Sequence, residues 1–193
     1  WTLMESLWEK HAGWFGGGYD QPGVHSVCVD PRDSKRIYAG VSTGGTWASE
    51  DDGRTWRQSA HGMRAEYLPP EKAFEPDHQD PHRVVRCPAE PDGLWAQHHN
   101  GIFRSTDAGT KWTEVKAPVS SFGFAVAVHP KKAGTAWFIP AVKDERRVPA
   151  EGKLVVNRTR DGGRTFETLR RGLPQEHAYD LVYRHGLDVD ATG

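Results

Sequence analysis

Two stretches of this chain gather side chains able to do chemistry. The first is Asp77-His78-Gln79-Asp80-Pro81-His82, and the second is Glu176-His177-Ala178-Tyr179-Asp180. Glycoside hydrolysis uses two carboxyl groups flanking the scissile bond, roughly 5–9.5 Å apart. Asp77, Asp80, Glu176 and Asp180 are the candidates for such a pair. Rings and imidazoles nearby suit a sugar, because flat faces stack on it and polar edges bond its hydroxyls. His25, His82, Phe124, His177, Tyr179 and Trp14 are therefore the candidate ligand-binding residues, with Phe15 beside Trp14. The same Asp/His run offers metal-ligand types, with His82 able to join His78 across a turn. Loops of this composition are more often simply solvated, so no metal and no other cofactor is expected.

Other polar features carry less. His98-His99-Asn100 leads into a strand, where neighbours face opposite sides, so at most one of the two histidines points to a shared site. Cys28 and Cys87 read as buried reduced thiols. Asn157-Arg158-Thr159 matches a glycosylation sequon at a strand end, and chance explains it better. Arg146-Arg147 and Arg170-Arg171 read as solvated pairs. The chain contains no nucleophile elbow, phosphate loop or dinucleotide fingerprint.

The charge balance narrows the partners. Lys+Arg number 25 against Asp+Glu 26 in 193 residues, which argues against a coat for nucleic acid or anionic membrane. No apolar run approaches the ~18 residues of a membrane-spanning helix. Cys 2 excludes a disulfide scaffold, and the low count points to a cytoplasmic location.

The elements that must hold these residues come from a repeat. Ser49-Glu50-Asp51-Asp52-Gly53-Arg54-Thr55-Trp56 matches Ser105-Thr106-Asp107-Ala108-Gly109-Thr110-Lys111-Trp112 and Thr159-Arg160-Asp161-Gly162-Gly163-Arg164-Thr165-Phe166. The closing aromatics stand at 56, 112 and 166, and Trp1 holds the same phase one period earlier. Each box predicts a tight hairpin. Asp51, Asp107 and Asp161 accept hydrogen bonds from turn amides. Gly53, Gly109 and Gly163 supply the positive φ. Trp56, Trp112 and Phe166 open the return strand. Three equivalent turns cannot converge on one substrate, so these aspartates are structural rather than catalytic.

Ahead of each box lie two apolar strands, the first ones starting near Val24, Pro81 and Gly123, and Ala178–Tyr183 reads as the first strand of a further period. Four antiparallel strands per period predict an all-β fold, a β-propeller with about three and a half blades. Residues 1–193 then form part of one propeller domain, with periods near 1–56, 57–112 and 113–166 and a partial one at 167–193. His25, His82, Phe124 and Tyr179 align at the starts of four inner strands, which brings them to one channel mouth. A ring of this kind needs further blades or a second copy of the chain to close. The chain is thus expected to be a piece of a longer protein.

The boxes resemble the Asp-box, or BNR repeat, of sialidases and related propellers. Lys111 departs from the usual Thr, while the turn-building Asp and Gly remain. The resemblance covers most of the chain and implies a sialidase-like glycosyl hydrolase propeller with a carbohydrate ligand at the channel mouth. The Arg-Ile-Pro segment that sialidases carry for the sugar carboxylate is not present. The competing expectation is a non-catalytic propeller scaffold that binds a protein or carbohydrate.

Overall fold

The structure, a computed structural model, describes residues 4–11 and 23–193. Trp1, Trp14 and Phe15 lie outside the described residues. Among the described residues a short helix α1, Glu5–His11, precedes thirteen strands. The first sheet runs β1 (Val24–Asp30), β2 (Asp33–Val41), β3 (Gly45–Ser49), β4 (Arg57–Gln58), each antiparallel to the next. The second repeats it with β5 (Pro81–Arg86), β6 (Leu94–His98), β7 (Gly101–Ser105) and β8 (Thr113–Val115). The third holds β9 (Gly123–His129), β10 (Lys132–Lys143), β12 (Val156–Thr159) and β13 (Glu167–Leu169), with β11 (Arg146–Pro149) added beyond β10. Among the described residues no helix is long and apolar enough to cross a membrane.

The sheets stack side by side like blades. β1 packs on β5, and β5 packs on β9, so the first strands of the three sheets are neighbours. Large rings fill the seams. Tyr38, Val84, Leu94, Phe103 and Trp112 bury one cluster between the first and second sheets. Trp95, Val126 and Phe138 bury another between the second and third. Each large side chain taken out of water contributes about 1.5–3 kcal/mol, so the seams are a main source of cohesion. β9 reads Gly-Phe-Ala-Val-Ala-Val-His and is buried on both faces through Val128, which explains its unbroken apolar run.

The three repeat turns share one geometry. In the first, the Asp51 carboxylate accepts the Thr55 N–H at 2.8 Å and the Thr55 hydroxyl at 2.6 Å. The Ser49 hydroxyl oxygen accepts the Gly53 N–H at 2.8 Å. Asp161 repeats this with Thr165 at 2.9 and 2.6 Å. Asp107 accepts the Lys111 N–H at 2.9 Å, but no hydroxyl stands at position 111 to reach its second oxygen. Positive φ falls on two successive residues and not on the glycine alone: Asp52 precedes Gly53, Ala108 precedes Gly109, and Gly162 precedes Gly163.

The turns also reach across seams. A Cβ at Gly109 would meet the Tyr38 ring of the preceding sheet at 2.3 Å, and one at Gly163 would meet Val115 at 2.4 Å. Ser59, past β4, donates its hydroxyl to the Gly109 carbonyl at 2.7 Å. The second and third boxes therefore clasp their sheet to the previous one, beyond closing a hairpin.

Two segments differ from the sequence reading. Ala178–Tyr183, with Tyr179 at its expected strand start, is not a strand. Among the described residues no strand follows it, so its amides have no ladder to join. It packs by side chains instead, with Leu181 against the Phe122–Phe124–Ala141 cluster and Tyr183 on Phe124, ring centroids 4.9 Å apart. The second strand of the third period runs on past Ile139, and the end of β10 pairs with β11 as a hairpin extension that the four-strand period did not predict. Asn157 is buried and donates to the Pro118 carbonyl at 2.7 Å, which gives the sequon asparagine a structural role.

Candidate functional site

The chemistry collects where the first strands begin. Asp80 immediately precedes β5, His82 is its second residue, and His99 follows β6 in the turn to β7. The ladder between β5 and β6 brings them together, since the His99 N–H donates to the Asp80 carbonyl at 2.9 Å. The turn between β2 and β3 adds the first sheet's share. Asp80 Oδ1 accepts the Thr43 N–H at 2.9 Å and the Ser42 hydroxyl at 3.1 Å. Asp80 Oδ2 faces His99 Nδ1 at 3.3 Å and His82 Nε2 at 3.6 Å. The Asp80 N–H donates to His98 Nε2 at 2.9 Å.

His82 is held from the third sheet. Its Nδ1–H donates to the Gly123 carbonyl at 2.7 Å, and its ring stacks on Phe124 at 4.2 Å with planes 5° apart. Phe122 meets His82 edge-on at 5.9 Å and His99 at 6.0 Å. Over this floor stand exposed or half-exposed groups. Tyr67 meets His99 edge-on at 5.2 Å, Arg147 lies over Phe124 at 5.5 Å, and Tyr183 covers the same ring. Arg184 Nε–H donates to the His82 carbonyl at 3.0 Å.

The electrostatics follow from burial and pairing. Burial alone would raise the Asp80 carboxyl, yet the His82 and His99 imidazoles and the Thr43 amide hold it well below the usual carboxylate range. The Asp80 carboxylate in turn raises His99 above an ordinary histidine, with burial opposing it. Burial depresses His98 and His25 to about 3, so both are neutral. An ionised Asp80 suits a cation or a hydrogen-bond donor. It does not suit the general-acid role, which needs a raised carboxyl pKa.

The predicted site residues separate into three groups. Asp80, His82 and Phe124 come together, with His25 beside them near the start of β1 and electrostatically coupled to Asp80. The rings of His82 and Phe124 are only 3% and 2% exposed, so their faces serve each other and not an incoming sugar. Asp77 lies apart, in an open cluster with Glu75 and His78. Glu176, His177, Tyr179 and Asp180 are exposed past β13, with His177 and Tyr179 6.4 Å apart, and none of them is among the Asp80 contacts. Trp14 lies outside the described residues. The free thiols are inert, with Cys28 pushed up to about 11 by burial. A groove of about 440 Å³ between β1 and β5 is lined by His25 but by neither Asp80 nor His99.

Sequence reasoning missed four participants. Tyr67 sits in the long segment between β4 and β5, which has no period to place it. Arg147 was read as a solvated pair member and Tyr183 as a strand residue. His99 was visible as half of a His-His pair, and both halves reach Asp80, one through the backbone N–H and one through the carboxylate.

Comparison with known proteins adds to this geometry. No family model matches the chain. A curated xyloglucanase from Hypocrea jecorina is 27% identical over 129 residues, covering 61% of this chain and 14% of that protein. The crystal structure of an ancestral GH74 enzyme superposes with a TM-score of 0.57 at 17% identity, covering 83% of this chain and 20% of the enzyme. YCF48 from Cyanidioschyzon merolae superposes with a TM-score of 0.53 at 16% identity, covering 75% of this chain and 39% of that one. The fold is that of a β-propeller. This propeller chain spans about a seventh of the length of the xyloglucanase it resembles. The curated relative is a glycoside hydrolase, and sialidase-like specificity is not shown.

Proposed function

We propose that the chain is the glycan-facing part of a glycoside hydrolase-like propeller, and that its rim of Tyr67, His99, Arg147 and Tyr183 contacts the carbohydrate. One observation carries the reading. Accessible rings surround an ionised, fixed carboxylate at the shared end of the first strands, which is where a propeller presents its ligands. Tyr67 is 44% exposed and Tyr183 is 49% exposed, so each has a face free to stack on a sugar. The likeness to a xyloglucanase supports a polysaccharide as ligand. The repeat turns, with their Asp-box pattern, support kinship with BNR-repeat propellers. Further blades, or a second copy, complete the ring in this proposal.

The test is a panel of neutral polysaccharide fragments and sialosides, read by binding and by release of reducing sugar. Binding of a polysaccharide fragment, weakened about fivefold or more in Tyr67→Ala or Tyr183→Ala, supports the assignment; a stacking contact of ~1 kcal/mol predicts a loss of that order. Both tyrosines are exposed, so neither change threatens the fold. Binding unchanged in both variants, or no glycan bound at all, would reject the rim and favour a protein-binding scaffold. Turnover that survives Asp80→Asn and Glu176→Gln would remove both as the reacting carboxylates.

A further inference from the structure

The contact between Asp80 and His82 has an unusual polarity. The Gly123 carbonyl can only accept, so the hydrogen on His82 must sit at Nδ1. In the neutral ring this tautomer turns the Nε2 lone pair toward Asp80 Oδ2, 3.6 Å away, and in the imidazolium Nε2 carries the proton that a bound metal ion would replace. That separation is too long for a direct hydrogen bond. It is right for two ligands sharing one ion: at bond lengths of about 2.0–2.2 Å, tetrahedral ligands lie roughly 3.3–3.6 Å apart. His99 Nδ1 lies 3.3 Å from the same oxygen, and all three atoms lie within 4.8 Å of one another.

We propose that Asp80 Oδ2, His82 Nε2 and His99 Nδ1 bind one divalent transition-metal ion of the zinc class. Two imidazoles and one carboxylate form a borderline donor set of the kind such ions favour. The outer shell is built. The Gly123 carbonyl orients His82 as metal-bound histidines are usually oriented, through the nitrogen away from the metal. Thr43 and Ser42 occupy Asp80 Oδ1, leaving Oδ2 free for a single bond to the ion. His82 and Asp80 are buried, while the His99 side chain is 22% exposed, so the fourth position opens to solvent on the His99 side. The run read from sequence as a weak ligand candidate thus contributes Asp80 and His82, with His99 in place of His78.

The experiment equilibrates the chain with Zn²⁺, removes loose metal by buffer exchange, and counts retained zinc by mass spectrometry. Wild type should hold about one ion per chain. His99→Gln should retain roughly a tenth or less, since losing a ligand costs at least the tenfold of losing a ligand's support. His78→Gln, in the exposed Glu75–Asp77–His78 cluster, should retain the wild-type amount. Co²⁺ in place of zinc should give the visible absorption of a four-coordinate site in wild type and lose it in His99→Gln. Circular dichroism confirms that His99→Gln is folded, and Asp80→Asn serves as a second variant where it is not. Zinc content no higher in wild type than in His99→Gln, or a loss that follows His78→Gln, would overturn the proposal. Because the readout is metal content, its failure leaves the glycan reading standing, and the reverse holds.

Discussion

Gly109, in the second repeat turn, lies against the ring of Tyr38 in the sheet before it. A Cβ at position 109 would fall 2.3 Å from Tyr38 Cε2, and the glycine has φ +85°. Gly109→Ala therefore meets backbone strain of about 1–2 kcal/mol and an overpacked seam of about 1–3 kcal/mol. The expected loss is about 2–5 kcal/mol, read as a fall in the urea midpoint with unchanged slope. Gly172 has φ +80° with nothing within 4 Å. Gly172→Ala should lose only the strain, about 1–2 kcal/mol. Equal losses at the two sites would remove the seam contact from the account.

The turns carry an acid-side pH dependence. Hydrogen bonds from Thr55 hold Asp51 at about 2, and those from Thr165 hold Asp161 at about 2. A carboxyl depressed in the folded state stabilises fully above its unfolded pKa of about 3.9. That contribution is lost as pH falls from about 4 toward 2. Thermal midpoints should therefore drop across this window, and the drop should be shallower in Asp51→Asn and Asp161→Asn. A variant curve parallel to wild type would show that these bonds contribute nothing to stability.

Lys111 is the position where one turn departs from the other two. Lys111→Thr places a hydroxyl where Thr55 and Thr165 have theirs. A new, exposed hydrogen bond contributes about 0.5 kcal/mol. The variant should raise the denaturation midpoint slightly, and a fall would show that the lysine makes a compensating contact of its own.

Asp30 ties the first two sheets at their outer ends. Its side chain is fully buried, and Arg86 from β5, 7% exposed, pairs with it at 3.0 Å. Asp30→Asn leaves the arginine buried without its counter-ion and should cost about 3–5 kcal/mol. Arg32 also pairs with Asp30, at 2.7 Å, but is largely open to water. Arg32→Ala should cost far less. The comparison of the two variants by denaturant titration checks which pair matters.

The repeat made the strands legible. The first strands start at Val24, Pro81 and Gly123, where the apolar pattern placed them. The alignment of His25, His82 and Phe124 at strand starts was legible too, since each lies one residue into its strand. What their rings do was not legible. Pattern places a residue at an end of a sheet, whereas the stacking of His82 on Phe124 depends on how close two sheets approach. Tyr67 and Arg147 stand in segments without periodicity, so only three-dimensional proximity brings them to the site. Asp80 was legible only as one of four candidate carboxylates. Its ionisation and its pairing with His99 depend on a register between strands that sequence does not state.

The backward clasp of the second and third repeat turns has a consequence for how the chain is made. Gly109 needs Tyr38, and Gly163 needs Val115, so the second and third turns each rest on a sheet synthesised earlier. A chain leaving the ribosome N-terminus first would find each docking surface already in place when its turn emerges. Assembly can then advance one sheet at a time without waiting for distant segments. Circular permutation that puts the third sheet first would reverse that order and should slow folding more than it lowers final stability.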